Sequence, residues 1–140
     1  NTIQAISTEK WEPENLKCAQ DKHEAAIISI ACITFENGFE IWTADATGLI
    51  CRFLPGDIPT FIGSEVTNKE RHAVCVIRQI DLRTVWLGTA TGELIVLKLC
   101  ETLSKKIECK KIKSPHQRAI SGILCGKNET TNQIFISSSK

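Results

Sequence analysis

Short apolar runs separated by polar turns recur along the whole chain, and each run has the length of a β-strand. In the clearest stretch, the Asn-Gly pair of Glu36-Asn37-Gly38 suits a hairpin turn, and Gly48 can supply the left-handed position of the turn Ala46-Thr47-Gly48. These turns predict four strands, which are Ala25–Ile33, Ile41–Asp45, Leu49–Leu54 and Pro59–Ile62. No helical periodicity of useful length competes with this pattern, so it predicts an all-β chain.

Part of this unit is repeated further along the sequence. Trp42 and the turn Ala46-Thr47-Gly48 return 44 positions later as Trp86 and Ala90-Thr91-Gly92. Three histidines mark a similar period, each ahead of a short apolar run: His23, His72 and His116. Similarity at a spacing of tens of residues indicates a repeated structural unit rather than a single irregular fold.

The repeat predicts the remaining strands. For the second unit they are Ala73–Ile80, Val85–Thr89, Glu93–Leu99 and about Leu103–Ile112. The third unit contributes Arg118–Cys125 and Ile134–Ser138, and the start of the chain contributes Thr2–Thr8 and Asn15–Gln20 as the last two strands of an earlier unit. The units therefore supply two, four, four and two strands in chain order.

This plan resembles the WD-repeat β-propeller family, whose blades have four strands, a histidine before the first strand and a glycine-ended turn between the second and third. The resemblance covers essentially the whole chain. The pattern Trp-x-Gly-x-x-x-Gly from Trp86 to Gly92 is also similar to the propellers of Roco-type kinases and Rho exchange factors. A β-sandwich is the alternative fold, since it too can hold about twelve short strands, but it leaves the repeated Trp, Ala-Thr-Gly and His unexplained.

The resemblance implies an all-β propeller of four-stranded antiparallel blades. Residues 1–140 would form part of one propeller, with the end of a blade at 1–22, blades at 23–71 and 72–115, and the start of a blade at 116–140. This amounts to about three blades' worth of strands, below the smallest usual ring of four. We therefore expect a partial ring, completed by further blades of the same parent chain or by a second copy.

The family stabilises its blades with a hydrogen-bonded relay of His, Ser or Thr, Asp and Trp. The matching positions are His23, Thr43, Thr47 and Phe53 in one unit and His72, Leu87, Thr91 and Leu97 in the next. Neither set contains the Asp or the Trp. We therefore expect the relay to be degraded, and the stability to come mainly from apolar packing between strands.

Composition restricts the function classes. The 140 residues are 42% apolar and 24% charged, with a net charge of +1, which is typical of a soluble globular unit without a general attraction to nucleic acid. The longest run without charge or proline, Ala25–Phe35, is about half of what a membrane span needs, so no span is expected. The start at Asn1 shows no leader pattern, so we expect no signal peptide and interpret the chain as an excised fragment.

No arrangement of residues indicates chemistry. The seven cysteines include no pair at metal-site or redox spacing, which favours free thiols in the cytoplasm. The three histidines could be imagined as metal ligands, but equivalent positions in successive blades stand far apart around a ring, so no metal is expected. Nucleophile-elbow, zinc-protease and phosphate-loop motifs are missing from the sequence. We expect neither an enzyme nor a cofactor.

The expected function is a non-catalytic scaffold that binds other proteins. The resemblance places the binding surface on the loops before the first strands and on the turns after the second, which include Lys22, Glu24, Asp45, Arg71 and Arg118. One alternative is a regulatory propeller of a larger kinase or exchange factor that acts by intramolecular contact or self-association. A further alternative is binding of anionic lipid or nucleic acid through Lys105–Lys113, although Glu108 interrupts that segment and no aromatic residue lies within it.

Overall fold

The fold consists of short antiparallel sheets that follow one another along the chain. A computed structural model describes residues 5–6, 13–14, 22–56, 59–66, 70–99, 108–112, 116–127 and 132–139. The strands within these residues are β1 (Ala5–Ile6), β2 (Pro13–Glu14), β3 (Ile27–Phe35), β4 (Gly38–Asp45), β5 (Leu49–Leu54), β6 (Thr60–Val66), β7 (Val74–Asp81), β8 (Thr84–Thr89), β9 (Leu94–Lys98), β10 (Glu108–Ile112), β11 (Ile120–Lys127) and β12 (Asn132–Ser138).

The strands pair in sequence order. The first sheet is β3-β4-β5-β6, the second sheet is β7-β8-β9-β10, and the third sheet is β11-β12, while β1 and β2 pair separately. All pairs are antiparallel and none of these sheets closes on itself. The prediction of an all-β chain is thus confirmed for the described residues.

The predicted strands agree closely with the observed ones. Leu49–Leu54 has the bounds of β5, and the other predicted strands overlap β1, β3, β4 and β6 to β12. The predicted strand Asn15–Gln20 and the first part of Leu103–Ile112 lie outside the described residues. Observed bounds differ from predicted ones mainly where a strand continues past its last apolar residue, because backbone pairing does not stop where the apolar pattern stops.

The three sheets share one irregularity in their first hairpin. A register shift follows the first pair of each hairpin, and these pairs are Ile27 with Asp45, Val74 with Thr89, and Ile120 with Ser138. A backbone bond just outside each pair closes the hairpin: Ala46 N to Ala26 O at 3.0 Å, Ala90 N to Ala73 O at 2.9 Å, and Ser139 N to Ala119 O at 3.0 Å. A bulge conserved in place through all three sheets makes them structural repeats.

Apolar side chains join neighbouring sheets. Between the first and second sheets a buried cluster contains Trp42, Ile50, Ile77, Leu87 and other apolar residues. A second cluster, around Leu94, Ile120 and Ile123, joins the second sheet to the third. The second sheet is therefore covered on both faces. Trp42 and Trp86 fill the spaces between sheets, since Trp42 lies in the first cluster and Trp86 packs against the second.

Candidate functional site

Loops from all three sheets meet at one end of the molecule. β3, β7 and β11 are the first strands of their sheets, and the segments that precede them contain Lys22 and Glu24, Arg71, and Arg118 respectively. Strand β4 ends at the same place with Asp45, which pairs with Ile27. The structure therefore brings the predicted site residues to one end of the stacked sheets.

Two glycines bring the turn of one sheet into contact with the loop that leads into the next sheet. Gly48 and Gly92 adopt φ angles of +77° and +83° in their turns, a conformation that side chains resist. A Cβ on Gly48 would lie 2.5 Å from the carbonyl oxygen of His72, and one on Gly92 would overlap the carbonyl oxygen of His116 in the same way. Glycine thus lets the turn of one sheet touch the loop that leads into the next, and the three loops form one continuous surface.

Four of the five predicted site residues are accessible on this surface. Lys22, Glu24, Arg71 and Arg118 are exposed. Arg71 has a positive φ of 54° and its guanidinium donates to the Glu24 carboxylate at 2.7 Å, which links the loops that lead into the first and second sheets. Both side chains remain about half exposed, so the ion pair contributes little stability and leaves the charges available to a partner.

Asp45 differs from the prediction, because it is completely buried. Its Oδ1 accepts from the amide and hydroxyl of Thr47 at 2.8 and 2.7 Å and from the amide of Leu49 at 3.1 Å. Its Oδ2 accepts from the amide of Glu24 and bonds His23 Nδ1, both at 3.2 Å. A carboxylate with this many internal donors caps the turn and does not face a partner.

The first sheet consequently contains a polar relay of three side chains. His23 bonds Asp45 through Nδ1 and the hydroxyl of Thr43 through Nε2 at 2.6 Å. A neutral imidazole with its proton on Nδ1 satisfies both contacts. The expectation of a degraded relay is corrected in part, because Asp45, two positions before Thr47, supplies a carboxylate, while Phe53 leaves the relay without a Trp. The position of Asp45 two residues before Thr47 was the available signal, since aspartate commonly caps a turn in this way.

The same three side chains have the order of a catalytic triad, with a hydroxyl, an imidazole and a carboxylate in line. Thr43 and Asp45 have no exposed surface, and only 2% of the His23 side chain is exposed. A substrate carbonyl cannot approach the Thr43 hydroxyl in this arrangement. The contacts instead tie the loop before β3 to the end of β4.

The second and third sheets replace the relay with weaker contacts. Thr89 stands where the first sheet has Asp45, and its hydroxyl accepts from the amide of Glu93 at 3.0 Å. His72 Nδ1 lies 3.1 Å from the Thr91 hydroxyl and 3.4 Å from the Glu93 carboxylate, with about a third of its side chain exposed. In the third sheet, His116 Nδ1 lies 3.0 Å from the Ser138 hydroxyl.

The histidines are not fully equivalent in space. His23 and His116 each stand three residues before the alanine that closes the hairpin, whereas His72 stands one residue before it. Each histidine bonds side chains of its own sheet. Among the described residues, no group of three His, Cys, Asp or Glu side chains is arranged to hold a metal ion.

The thiol of Cys51 lies beside the relay but is held in its unreactive form. Its Sγ donates to the carbonyl of Lys22 at 3.4 Å and lies 3.8 Å from His23 Nδ1. Burial and, to a smaller extent, the negative charge of Asp45 raise the pKa of this thiol to about 11, against the opposing effect of the positive charge of Lys22. Because nucleophilic attack needs the thiolate, this cysteine is not suited to covalent chemistry.

Sequence reasoning missed a second buried polar group. Glu40 is almost fully buried and accepts from Trp42 Nε1 at 2.8 Å and from two nitrogens of Arg52 at 2.9 Å. The Arg52 guanidinium also lies over the Trp42 ring, 5.4 Å from its centroid. No signal in the order of residues foretold this pairing, because the cross-strand neighbours become known only from the register of β4 and β5.

Little of the lysine-rich segment is described. Lys105, Lys106 and Lys113 lie outside the described residues, while Lys110 and Lys111 are exposed on β10. Lys111 donates to the carboxylate of Glu70 at 2.8 Å. Within the described residues, no helix has the length and apolar character required to cross a membrane.

In comparisons with known proteins, no protein-family model, no curated protein and no solved structure matches this chain.

Proposed function

We propose that this chain is a non-catalytic protein-interaction module, built as part of a WD-repeat-type β-propeller, and that it binds partners through the loop surface at the start of β3, β7 and β11. The observation that carries this proposal is the repeated contact of Gly48 with His72 and of Gly92 with His116. It joins three loops into one surface of fixed shape, which is what a rigid binding platform requires.

The packing of the sheets supports the propeller architecture. The first strands of neighbouring sheets contact each other, β3 with β7 and β7 with β11. Each second strand also contacts the first strand of the next sheet, β4 with β7 and β8 with β11. Repeated contact through first strands is expected when those strands lie nearest a common axis.

The chemistry of the surface favours protein partners. Lys22, Arg71 and Arg118 bring positive charge and Glu24 brings negative charge, on a chain whose net charge is +1. Mixed charges fix the orientation of a protein partner and do not create the strong positive field needed for a polyanion. The proposed compartment is the cytoplasm, since the described cysteines Cys32, Cys51, Cys75 and Cys125 are free thiols.

A charge-reversal pair on the loop surface tests the proposal. The double variant Arg71→Glu and Arg118→Glu alters the loop surface, and Arg83→Glu with Lys98→Glu changes the same number of charges at the opposite end of the second sheet, where Thr84 pairs with Lys98. Each tagged protein would be incubated with cell extract, and the captured proteins quantified by mass spectrometry. Circular dichroism would establish that both variants fold.

We expect the loop-surface variant to lose at least about tenfold of its specifically captured partners, with the opposite-end variant close to wild type, since charge reversal at an interface removes attraction and adds repulsion. Equal capture by all three proteins would contradict the placement of the binding surface. Turnover of a substrate by the wild-type chain would contradict the non-catalytic assignment.

A further inference from the structure

The first and third sheets each carry exposed apolar residues on the face turned away from the second sheet, although that face of the first sheet is buried at Phe53. On the first sheet, Ile30 is 56% exposed and Phe39 is 44% exposed on the face turned away from the second sheet. On the third sheet, Leu124 and Phe135 form a cross-strand pair that is 66% and 59% exposed. We call these the Ile30 face and the Phe135 face.

The repeated register shows what residues at these positions do elsewhere in the fold. Counting from the shared bulge, Ile30 occupies the same place as Ile77 and Ile123. Both of those isoleucines are 6% exposed, and each lies in the apolar cluster that joins its sheet to the preceding one. Ile30 therefore has the side chain and the position of an interface residue, but it is 56% exposed.

The same comparison applies to the Phe135 face. Phe135 stands three residues before Ser138, as Trp42 stands before Asp45 and Trp86 before Thr89. Trp42 lies in one cluster with Ile77, and Trp86 lies in the other with Ile123. Each internal interface therefore combines an aromatic residue of one sheet with an isoleucine of the next, and Phe135 and Ile30 occupy the corresponding positions where they are exposed.

We propose that the Phe135 face of one copy of this chain packs against the Ile30 face of a second copy, continuing the stack of sheets across the boundary between chains. The net charge of +1 imposes little repulsion between copies. Because the two surfaces differ, the contact is head to tail, and it closes into a ring if the rotation between chains permits. The inference rests on the stacked architecture of the proposed function and assigns a partner to these exposed apolar residues.

Single substitutions on each face test the contact. Phe135→Asp and Ile30→Asp each place a charge at the centre of one face, and Leu82→Asp, at a 52% exposed leucine in the turn between β7 and β8, is the matched control. Sedimentation velocity up to about 100 µM would measure the mass against the 15.5 kDa of one chain. We expect wild type and the control to associate, and each face variant to associate at least about tenfold more weakly.

A mixture of the two face variants distinguishes head-to-tail contact from contact between like faces. The Ile30→Asp copy retains a normal Phe135 face, and the Phe135→Asp copy retains a normal Ile30 face, so the mixture should regain association that neither variant shows alone. If one variant alone remained as associated as wild type, like faces would be in contact and the proposal would be wrong. A wild-type chain that stayed at 15.5 kDa would also overturn it, because another segment or protein would then have to cover these faces.

Cys32 provides an independent readout, since this exposed thiol lies in a shallow depression on the Ile30 face that Phe39 also lines. Alkylation of Cys32, followed by peptide mass spectrometry, should slow at least about tenfold as wild type associates, and should remain fast in Phe135→Asp. Equal rates in both proteins at high concentration would contradict the proposal. Failure here leaves the loop-surface test unaffected, because Arg71 and Arg118 lie at the end of the sheets rather than on these faces.

Discussion

The first and second sheets have the same topology and the same bulge, yet they stabilise their first hairpins differently. In the first sheet the buried carboxylate of Asp45 receives five contacts from the turn, the preceding loop and His23. In the second sheet Thr89 offers only a hydroxyl, and His72 remains partly exposed. The fold therefore tolerates either a polar relay or a smaller cap at one position, provided that the turn amides are satisfied.

Two residues before these caps the difference is reversed, and the second sheet has the stronger stabilising side chain. Position 43 of the first sheet is Thr43, whose hydroxyl bonds His23, while the corresponding position of the second sheet is Leu87, which is completely buried in the cluster between the sheets. The second sheet lies between two neighbours, so an apolar side chain gains more there than a hydrogen bond would. Covering both faces has allowed the second sheet to depend on packing.

Removing the caps Asp45 and Thr89 should have the largest effect on the free energy of unfolding and should distinguish the two sheets most clearly. Asp45→Ala leaves the partly buried amides of Thr47 and Leu49 without their acceptor, and we expect it to lower the free energy of unfolding by about 3–4 kcal/mol. Thr89→Ala removes a neutral hydroxyl, and we expect a loss of about 1–2 kcal/mol. Urea denaturation followed by circular dichroism would measure both, and equal losses would show that the carboxylate has no special role.

Truncating Thr43 and its counterpart Leu87 should have a somewhat smaller effect on the free energy of unfolding than removing the caps. Here the variant of the second sheet should lose more stability than the variant of the first. Leu87→Ala opens a cavity between the first and second sheets, and we expect a loss of about 3 kcal/mol. Thr43→Ala removes one hydrogen bond to His23, and we expect a loss of about 1–2 kcal/mol. The same denaturation experiment applies, with the dependence on urea concentration compared to establish that unfolding exposes the same surface. A larger loss for Thr43→Ala than for Leu87→Ala would mean that the relay contributes more to the first sheet than apolar packing at Leu87 contributes to the second.

The order of residues was enough to predict most of the strands, because apolar runs and glycine turns depend on local conformation, but β2 (Pro13–Glu14) lies outside every predicted strand. The turns at Gly48 and Gly92 and the aromatic residues Trp42 and Trp86 were found by repetition alone. Repetition did not reveal the role of Asp45, since the family pattern places the aspartate at Thr47, two positions later. A carboxylate can cap a turn from more than one position, and only the contacts show which position is used.

Cross-sheet partners were beyond sequence reasoning for a different reason. The Gln79 side chain exchanges two hydrogen bonds of 2.7 Å with the backbone of Thr34, which joins the first and second sheets away from the loop surface. Nothing near Gln79 in the sequence points to a residue 45 positions earlier. The equivalence of Ile30 with Ile77 likewise became visible only from the shared register.

The dependence of stability on pH should show the smallest effect and should separate two carboxylates of the first sheet. Burial alone would raise the pKa of Asp45, but the hydrogen bonds from Thr47, Leu49 and His23 outweigh it and leave the pKa below its usual 3.8. Its contribution is therefore present above that value and is lost as the pH falls through the lower pKa of the folded state. Burial raises the pKa of Glu65, although the charge of Arg52 lowers it in part, so its contribution is greatest below 4.5 and is lost as the pH rises through the folded pKa.

Urea denaturation of wild type, Asp45→Asn and Glu65→Gln between about pH 3 and 7 would separate the two contributions. Compared with wild type, Asp45→Asn should lose less stability on acidification, because its amide does not titrate. Glu65→Gln should be changed in the opposite sense and gain stability relative to wild type as the pH rises. The second sheet has the neutral Thr89 in place of Asp45. If Asp45→Asn left the dependence of stability on pH unchanged, the charge of Asp45 would make no difference between the two caps. The contrast between the sheets would then rest on packing alone.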